Sequence, residues 1–234
     1  MAEWWQIFEQ KFTTAFIDHN RWKSLLDGLG NTLIITLFAV VIGIIIGFIV
    51  SVVRTTHDKT GKLKIGNAIC QVYLTIIRGT PVMVQIMIMY FVIFVSAPAK
   101  FGIPIAILSF GINSGAYVAE IFRSGINAID AGQFEAGRSL GFNYTQTMWH
   151  IVMPQAFKNV IPALANEFIV LLKETSVAGY IAVQDLTRSG FTIGGAIYDY
   201  TLPLIAIALI YLLLVILLSW GVRILERRLR RSDR

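Results

Sequence analysis

The sequence predicts an all-α integral membrane protein with five transmembrane helices and one structured cytoplasmic loop between the third and fourth spans. Three observations lead to this prediction. The chain of 234 residues is 56% hydrophobic and only 15% charged, which is a membrane composition. Several runs of about 20 residues carry no charge, and each is long enough to cross a bilayer as a helix. Basic residues are concentrated in alternate connections between these runs.

The first and last spans have the longest apolar runs. Residues 33–53 form a run of 21, and residues 201–222 a run of 22, without Asp, Glu, Lys or Arg. At a rise of about 1.5 Å per residue, either helix crosses a hydrocarbon core of about 30 Å. A cleaved signal peptide is the alternative for the first run, but that run begins far from the amino terminus and exceeds an apolar signal core of about 7–15 residues. We therefore expect it to remain in the mature protein.

The three central spans are predicted from shorter or interrupted runs. Residues 79–99 and 101–119 are free of charge on either side of Lys100, where a proline and a glycine bound a tight turn. The fourth span, 159–182, is interrupted by three charged residues that include Glu167, but its flanks are apolar. Charged residues inside a membrane span are costly, so they are candidates for function.

Residues 1–30 are predicted to form an amphipathic segment on the outer side, at the membrane interface. Aromatic residues recur there among charged ones, which is typical of interfacial helices: Trp4, Trp5, Phe8, Phe12, Phe16 and Trp22. A poorly ordered tail is the alternative. The membrane domain then covers residues 31–225, with the cytoplasmic loop at 130–158, and residues 226–234 form a basic cytoplasmic tail.

Basic residues assign the two sides of the membrane, because they are enriched in cytoplasmic connections. They follow the first span, lie between the third and fourth spans, and end the chain: Arg54, Lys59, Lys62 and Lys64; Arg123, Arg138 and Lys158; Arg223, Arg227, Arg228, Arg230, Arg231 and Arg234. The other two connections contain few basic residues, Lys100 in one and Arg188 in the other. The sequence therefore predicts an external amino terminus and a cytoplasmic carboxyl terminus. This topology, with contact to anionic lipid, accounts for the net charge of +6, and nucleic acid is not expected as a partner.

The cytoplasmic loop contains helix signals of its own. Asp130 is placed to cap a first short helix, and Gly141 to stop it. Asn143 or Thr145 then caps a second short helix, which Pro154 is expected to end. The predicted shape is two short helices joined at a glycine corner, which is suited to docking on a partner.

The same loop carries a motif with fixed spacing. Its positions are Glu135, Ala136, Gly137, Gly141, Ile151, Met153 and Pro154. They resemble the EAA signature of ABC importer permeases, E-A-A-x3-G-x9-I-x-L-P, and every interval fits. Gly137 stands where the family has alanine, and Met153 stands where it has leucine. The resemblance implies a type I ABC importer fold in which this segment is the coupling helix that fits a cleft on an ATPase subunit.

Three further motifs resemble the polar amino acid branch of these permeases. They are Arg78-Gly79-Thr80-Pro81 with Gln85 downstream, Tyr117-Val118-Ala119-Glu120-Ile121-Phe122-Arg123, and Ala165-Asn166-Glu167-Phe168 followed by Leu172-Lys173-Glu174-Thr175-Ser176. The resemblance covers residues 31–225. It implies ATP-driven import of a polar amino acid, either a basic one or glutamine or glutamate, across the inner membrane of a bacterial cell.

The chain lacks a nucleotide-binding loop of the form Gly-x4-Gly-Lys-Ser/Thr, so we do not expect it to hydrolyse ATP. The resemblance implies two copies of an ABC ATPase subunit that bind ATP and magnesium, and a second permease chain, either identical or a sister. It also implies an extracellular or periplasmic solute-binding protein that delivers the amino acid. No cofactor or metal is expected in this chain, because Cys70 is its one cysteine and its histidines lie outside the apolar spans.

A candidate substrate site combines two charges of the membrane domain. An amino acid carries an ammonium and a carboxylate, so its site needs an acceptor and a donor. Glu167 supplies the acceptor and Arg78 a bidentate donor. Further predicted linings are Asn166, Thr80, Gln85, Met89, Ser114 and Val170. The alternative is that Arg78 pairs with a lipid phosphate group or with the loop beneath Arg78 itself.

Two other classes of function fit the sequence less well. An ion-coupled secondary transporter of amino acids is expected to contain internal repeats and more than five helices. An integral membrane enzyme needs a catalytic pair, and neither the three histidines nor Cys70 offers one within the apolar spans.

Overall fold

The computed structural model describes residues 2–231, and every regular element in that range is helical. The ten α-helices are α1 Ala2–Phe12, α2 Trp22–Thr60, α3 Lys64–Gly79, α4 Val82–Ile88, α5 Gly102–Asn127, α6 Ala131–Ser139, α7 Tyr144–Thr147, α8 Met153–Glu174, α9 Leu186–Ile197 and α10 Thr201–Arg231. Wider π-turns occupy Thr13–Ile17, Met89–Ile93 and Met148–Val152, and 3₁₀ turns occupy Asp18–Asn20, Ala99–Phe101 and Thr175–Ile181. The predicted basic tail begins as the last turns of α10, and its residues 232–234 lie outside the described range.

Three helical segments are long and apolar enough to cross a membrane. They are Trp22–Thr60, Ala99–Asn127 and Thr201–Leu229, and they contain the predicted first, third and fifth spans. A fourth candidate exists if Lys64–Gly79 and Val82–Ile93 count as one broken span. Length and composition therefore support up to four of the five predicted spans within the described residues.

The second span differs from the prediction. The run 79–99 was expected to be one helix, but α3 ends at Gly79 and α4 begins at Val82, with a bend of 109° between the two. Pro81 explains the break, because proline has no backbone N–H and disfavours the helical conformation in the residue before it. Thr80 accordingly has extended backbone angles, with φ −124° and ψ 148°.

The fourth predicted span, 159–182, also needs correction. Helix α8 begins earlier, at Met153, and ends at Glu174, after which Thr175–Ile181 continues as a 3₁₀ turn. Its 22 residues are long enough for a span, but it is not among the helices that are apolar enough to cross a membrane. Helix α8 packs against the membrane helices α2, α5 and α10, so it is shielded by protein on several sides.

The centre of the molecule is the contact between α2 and α5, which small residues make close. A Cβ at Gly47 would lie 2.7 Å from the backbone nitrogen of Ala119, and a Cβ at Gly43 would lie 2.9 Å from Oγ of Ser114. Only glycine at these positions lets α2 and α5 approach so closely. The face of α2 that carries Gly43 and Gly47 is therefore covered by α5 of the same chain.

The two ends of the bundle carry different features. At one end, Lys11 of the amino-terminal segment donates to Asp199 in the turn between α9 and α10 over 2.8 Å. At the other end, Lys59 at the end of α2 lies 5.6 Å from the ring centre of Phe134 in the loop of residues 130–158. The amino-terminal segment is helical from Ala2 to Phe12, and Trp4 and Trp5 are mostly exposed; its location at the membrane interface stays a prediction.

Candidate functional site

An open groove of about 400 Å³ lies between the end of α3, the second half of α5, and α8. Its charged lining consists of Arg78, Glu120 and Glu167. The remaining lining residues are Tyr117, Ile121, Ser124, Gly125, Ala128, Asn159 and Ala163. The structure thus brings the two predicted charges, Arg78 and Glu167, to one groove, together with a second carboxylate.

Arg78 occupies the last turn of α3, directly before the break at Pro81. Its Nη1 lies 3.9 Å from Oε2 of Glu120, and its guanidinium carbon lies 5.8 Å from the ring centre of Tyr117. A guanidinium at this distance from an aromatic ring is held by a cation–π contact. In the structure, therefore, the neighbours of Arg78 are side chains of α5.

Glu120 is engaged more closely by Arg123, three residues further along α5. Arg123 donates from Nε to Oε2 of Glu120 over 3.1 Å, and from Nη2 to Oε1. Neither residue was predicted to have a role, although both belong to the motif from Tyr117 to Arg123. Opposite charges at i and i+3 on a helix were the signal that could have identified the pair.

Glu167 projects from α8 towards α5. Its Oε1 accepts a hydrogen bond from Oγ of Ser114 over 2.8 Å, and Ser114 is completely buried. The structure therefore places two of the predicted lining residues in direct contact. The serine uses one carboxylate oxygen, and the position of Glu167 on the groove leaves the carboxylate accessible to a ligand.

The side chain of Gln85 makes hydrogen bonds across the break between α3 and α4. Its Nε2 donates to the carbonyl oxygen of Ile77 and to both oxygens of Thr80, and its Oε1 accepts from Nδ2 of Asn113. Both ends of the amide are used within the chain. The buried Asn113 was not predicted.

The other predicted linings lie elsewhere. Thr80 sits in the α3–α4 break, Met89 begins a π-turn, and Asn166 and Val170 are on exposed faces of α8. None of these four lines the groove of Arg78 and Glu167. Among the described residues, no group of three or more His, Cys, Asp or Glu side chains is arranged to hold a metal ion.

The loop of residues 130–158 begins with the predicted capped helix. Asp130 accepts a hydrogen bond from the backbone nitrogen of Gly132 over 2.6 Å at the start of α6. Asn143, one of the two residues considered for the second cap, forms a capping box with Gln146: each side chain accepts from the other residue's backbone N–H. Local side-chain rules thus predict both helix starts.

The corner between the two helices depends on Gly141. Its φ is +77°, in the region that favours glycine. The backbone nitrogen of Phe142 donates to the oxygen of Gly137, and that of Gly141 donates to Arg138, the pair of bonds that defines a Schellman motif. The predicted stop of the first helix is confirmed.

Pro154 does not end the second helix, as the sequence had suggested. The chain stays helical from α7 through the π-turn Met148–Val152 into α8, whose first turn contains Pro154. Proline is tolerated in a first turn because its missing N–H costs no bond there. The second helix of the loop therefore leads directly into the membrane helix α8.

Gly137 lies where α6 packs against α7. It is buried, and a Cβ there would lie 2.5 Å from Oγ1 of Thr147. This contact explains glycine at a position where the EAA signature has alanine. Glu135 and Ala136 face solvent, and Leu140 is 69% exposed at the tip, so the opposite face of α6 is open to a partner.

Tyr144, the first residue of α7, covers the inner side of the loop. Its ring stacks on Phe134 at 6.2 Å, and burial raises the pKa of its phenol. The phenol therefore stays neutral across the physiological range. The stack ties α6 to α7, so that the two helices form one unit.

The sequence and the fold both match known proteins. Residues 39–231 match a family described as binding-protein-dependent transport system inner membrane component. The chain is 39% identical over 214 residues to the arginine transport system permease protein ArtQ of Bacillus subtilis, across 89% of this chain and 94% of that protein. It is 36% identical to the putative glutamine transport system permease protein GlnP of Rickettsia bellii, across 88% of this chain and 92% of that protein.

The fold is shared with a solved transporter. A chain in the crystal structure of an amino acid ABC transporter with histidines superposes with a TM-score of 0.81 at 37% identity, across 91% of this chain and 98% of that chain.

Proposed function

The chain belongs to the family of binding-protein-dependent transport system inner membrane components, and from this premise we propose that it is the permease subunit of an ATP-driven importer of polar amino acids. The observation that carries the proposal is one groove lined by both Arg78 and Glu167. The names of the two relatives above, which concern arginine and glutamine, support the same class of substrate.

The groove matches the common part of an amino acid. We propose that the Arg78 guanidinium binds the substrate carboxylate by two parallel hydrogen bonds. Glu167 then accepts from the ammonium, or from a cationic side chain, while Ser114 keeps its carboxylate oriented by the bond of 2.8 Å. A basic amino acid satisfies these groups, and so does glutamine or glutamate.

Coupling to ATP is assigned to the cytoplasmic loop. In the proposed complex, α6 inserts its exposed face, with Glu135 and Ala136, into a cleft of the ATPase subunit. The motif continues through Gly141 and Ile151 to Pro154, which stands where α8 begins, so a movement of the loop is transmitted directly to the helix that carries Glu167.

The proposed assembly contains two permease chains, identical or sisters, two ATPase subunits that bind ATP and magnesium, and a solute-binding protein on the outer side. The amino terminus faces outward and the carboxyl terminus the cytoplasm. The contact between Lys59 and Phe134 supports this orientation, because it places the basic connection after α2 at the same end as the coupling loop.

Glu167 variants test the proposed function. Removing one member of a fully buried charge pair costs about 3–5 kcal/mol, and the cost is smaller in a groove that is open to solvent. We therefore expect Glu167→Ala to abolish most ATP-driven uptake in reconstituted vesicles, and Glu167→Gln, which keeps the shape and some hydrogen bonding, to lose less. Loss confined to arginine, lysine and histidine would show that Glu167 recognises the side chain, and equal loss for glutamine would show that it recognises the ammonium.

The matched control is Glu174→Gln, which removes a carboxylate from the same helix but not from the groove. ATPase binding is measured in parallel, so that a folding or docking defect is recognised. Unchanged uptake of every amino acid by Glu167→Ala would contradict the assigned site, and uptake that is independent of ATP would favour an ion-coupled transporter.

A further inference from the structure

We propose that Arg123 is a positioning residue for substrate recognition: it holds the Glu120 carboxylate and so leaves the Arg78 guanidinium free for the carboxylate of the amino acid. This inference rests on the proposed function. It explains how an arginine can remain available to a ligand although an acidic side chain lies beside it.

The two basic neighbours of Glu120 hold it unequally. Arg123 donates to both carboxylate oxygens. Arg78 lies 3.9 Å from one of them, which is beyond hydrogen-bond length. Among the described residues, Arg78 donates no hydrogen bond to any other group. Its N–H donors are therefore unused.

The surroundings of Arg78 allow its guanidinium to bind a carboxylate. Its side chain is 45% exposed and lines the groove. The contact with the Tyr117 ring orients the guanidinium without using its N–H donors. A planar group held in this way can offer two donors to a carboxylate at little further cost in side-chain entropy.

Glu120 becomes a competitor of the substrate if Arg123 releases it. Arg78 and Glu120 already form an ion pair at 3.9 Å, and because both side chains are flexible, a small rotation would shorten it to a hydrogen-bonded pair. The spacing of three residues on α5 lets Arg123 prevent this within one helical turn. Arg123 would thus act on substrate affinity without touching the substrate.

Four variants of the complete permease–ATPase complex test this competition: Arg78→Gln, Arg123→Gln, Glu120→Gln and the double variant Arg123→Gln/Glu120→Gln. The measurement is equilibrium binding of radiolabelled arginine and glutamine to the detergent-solubilised complex. Because the side chains are partly exposed, we expect Arg123→Gln to weaken binding about threefold to tenfold. The double variant should return to within about twofold of the wild type, since the competing carboxylate is gone.

The rescue separates positioning from a structural role. If Arg123 merely stabilised α5, removing its partner as well would not restore binding, and that result would overturn the inference. A second readout uses L-argininamide, which lacks the carboxylate: its binding should be insensitive to Arg123→Gln. An equal loss for arginine and argininamide would also overturn the inference.

Failure of the inference can be told apart from failure of the proposed site. If Arg78→Gln weakens binding but Arg123→Gln does not, the site stands and the positioning role is wrong. If Arg78→Gln leaves binding unchanged, the carboxylate site itself is wrong, and the positioning role is rejected with it. Arg54→Gln is the control for charge, because Arg54 lies on α2 and acts on Glu120 only through space.

Discussion

Gly141 turns the loop of residues 130–158, the proposed coupling loop, through its backbone conformation alone. With φ at +77°, it occupies a region that most L-residues avoid, yet a Cβ there would meet no atom within 4 Å. The position is therefore restricted by strain and not by crowding. The two corner bonds that orient α6 relative to α7 depend on it.

We predict that Gly141→Val lowers both ATP-driven uptake and co-purification of the ATPase, whereas Gly141→Asn keeps most of both. An ordinary L-residue loses about 1–2 kcal/mol in the left-handed region, a β-branched residue loses more, and asparagine is tolerated there. The two variants add side chains of similar size, so each controls for the other. An equal loss in both would show that the side chain obstructs docking and that the backbone is not the cause.

Single residues also show how far the sequence can predict the site. The caps at Asp130 and Asn143 and the corner at Gly141 follow from local rules, which need only neighbours along the chain. The pair of Glu167 and Ser114 joins α5 to α8, and the sequence could propose its members but not their contact. The sequence could not show the hydrogen bonds of Gln85, because its partners at Ile77 and Asn113 become neighbours only when the chain breaks at Pro81.

The break between α3 and α4 is the element on which the groove depends, because it ends α3 at Arg78 and Gly79. Gln85 closes the break by donating to Ile77 and Thr80 and accepting from Asn113. Removing a partner of partly buried polar groups costs about 1–3 kcal/mol. We predict that Gln85→Ala lowers the unfolding temperature of the detergent-solubilised protein and that Asn113→Ala, which removes one bond, lowers it less.

Additivity checks the prediction for Gln85. The two residues share a hydrogen bond of 2.9 Å, so the double variant should lose less stability than the two single losses combined. Full additivity would indicate that each residue stabilises the fold through separate contacts, contrary to the role assigned to Gln85.

At the scale of elements, hydropathy predicts which segments are apolar but not where a helix bends or breaks. The run 79–99 was long enough for one straight helix, and the bend of 109° at Pro81 divides it. The charges of α8 are accommodated by packing against α2, α5 and α10, which no count along one segment detects. Pro154 was expected to end a helix because proline usually does so, but a preceding π-turn makes it the start of α8.

At the scale of the whole molecule, the amino-terminal segment is held to the turn between α9 and α10, distant in sequence. Lys11 donates to Asp199, and together with the backbone N–H of Thr201 it lowers the pKa of Asp199 to about 2. A carboxyl whose folded pKa is depressed contributes stability above its ordinary pKa of 3.8 and loses it as the pH falls towards 2. The contact is therefore constant across physiological pH.

We predict that Lys11→Gln increases hydrogen exchange in α1 at pH 7 and leaves exchange in α5 unchanged. The contact is exposed to solvent, so high salt should produce part of the same increase in the wild type. Lys23→Gln is the matched control, because Lys23 lies at the start of α2, near the same end of the bundle, but does not bind Asp199. Unchanged exchange in α1 would show that apolar packing alone holds the segment.

The orientation of the whole chain is the remaining prediction, and one exposed site at each end can test it. Tyr198, in the turn after α9, is 95% exposed, and Leu140, at the tip of the coupling loop, is 69% exposed. The buried Cys70 is the one native cysteine, so Cys70→Ser gives a background without thiols.

In intact cells, a membrane-impermeant maleimide should label Tyr198→Cys and not Leu140→Cys, because basic residues keep the connections at the coupling end in the cytoplasm. Permeabilisation should expose Leu140→Cys. The reverse pattern would place the coupling loop outside, where no ATPase could reach it, and would contradict the proposed function together with the topology.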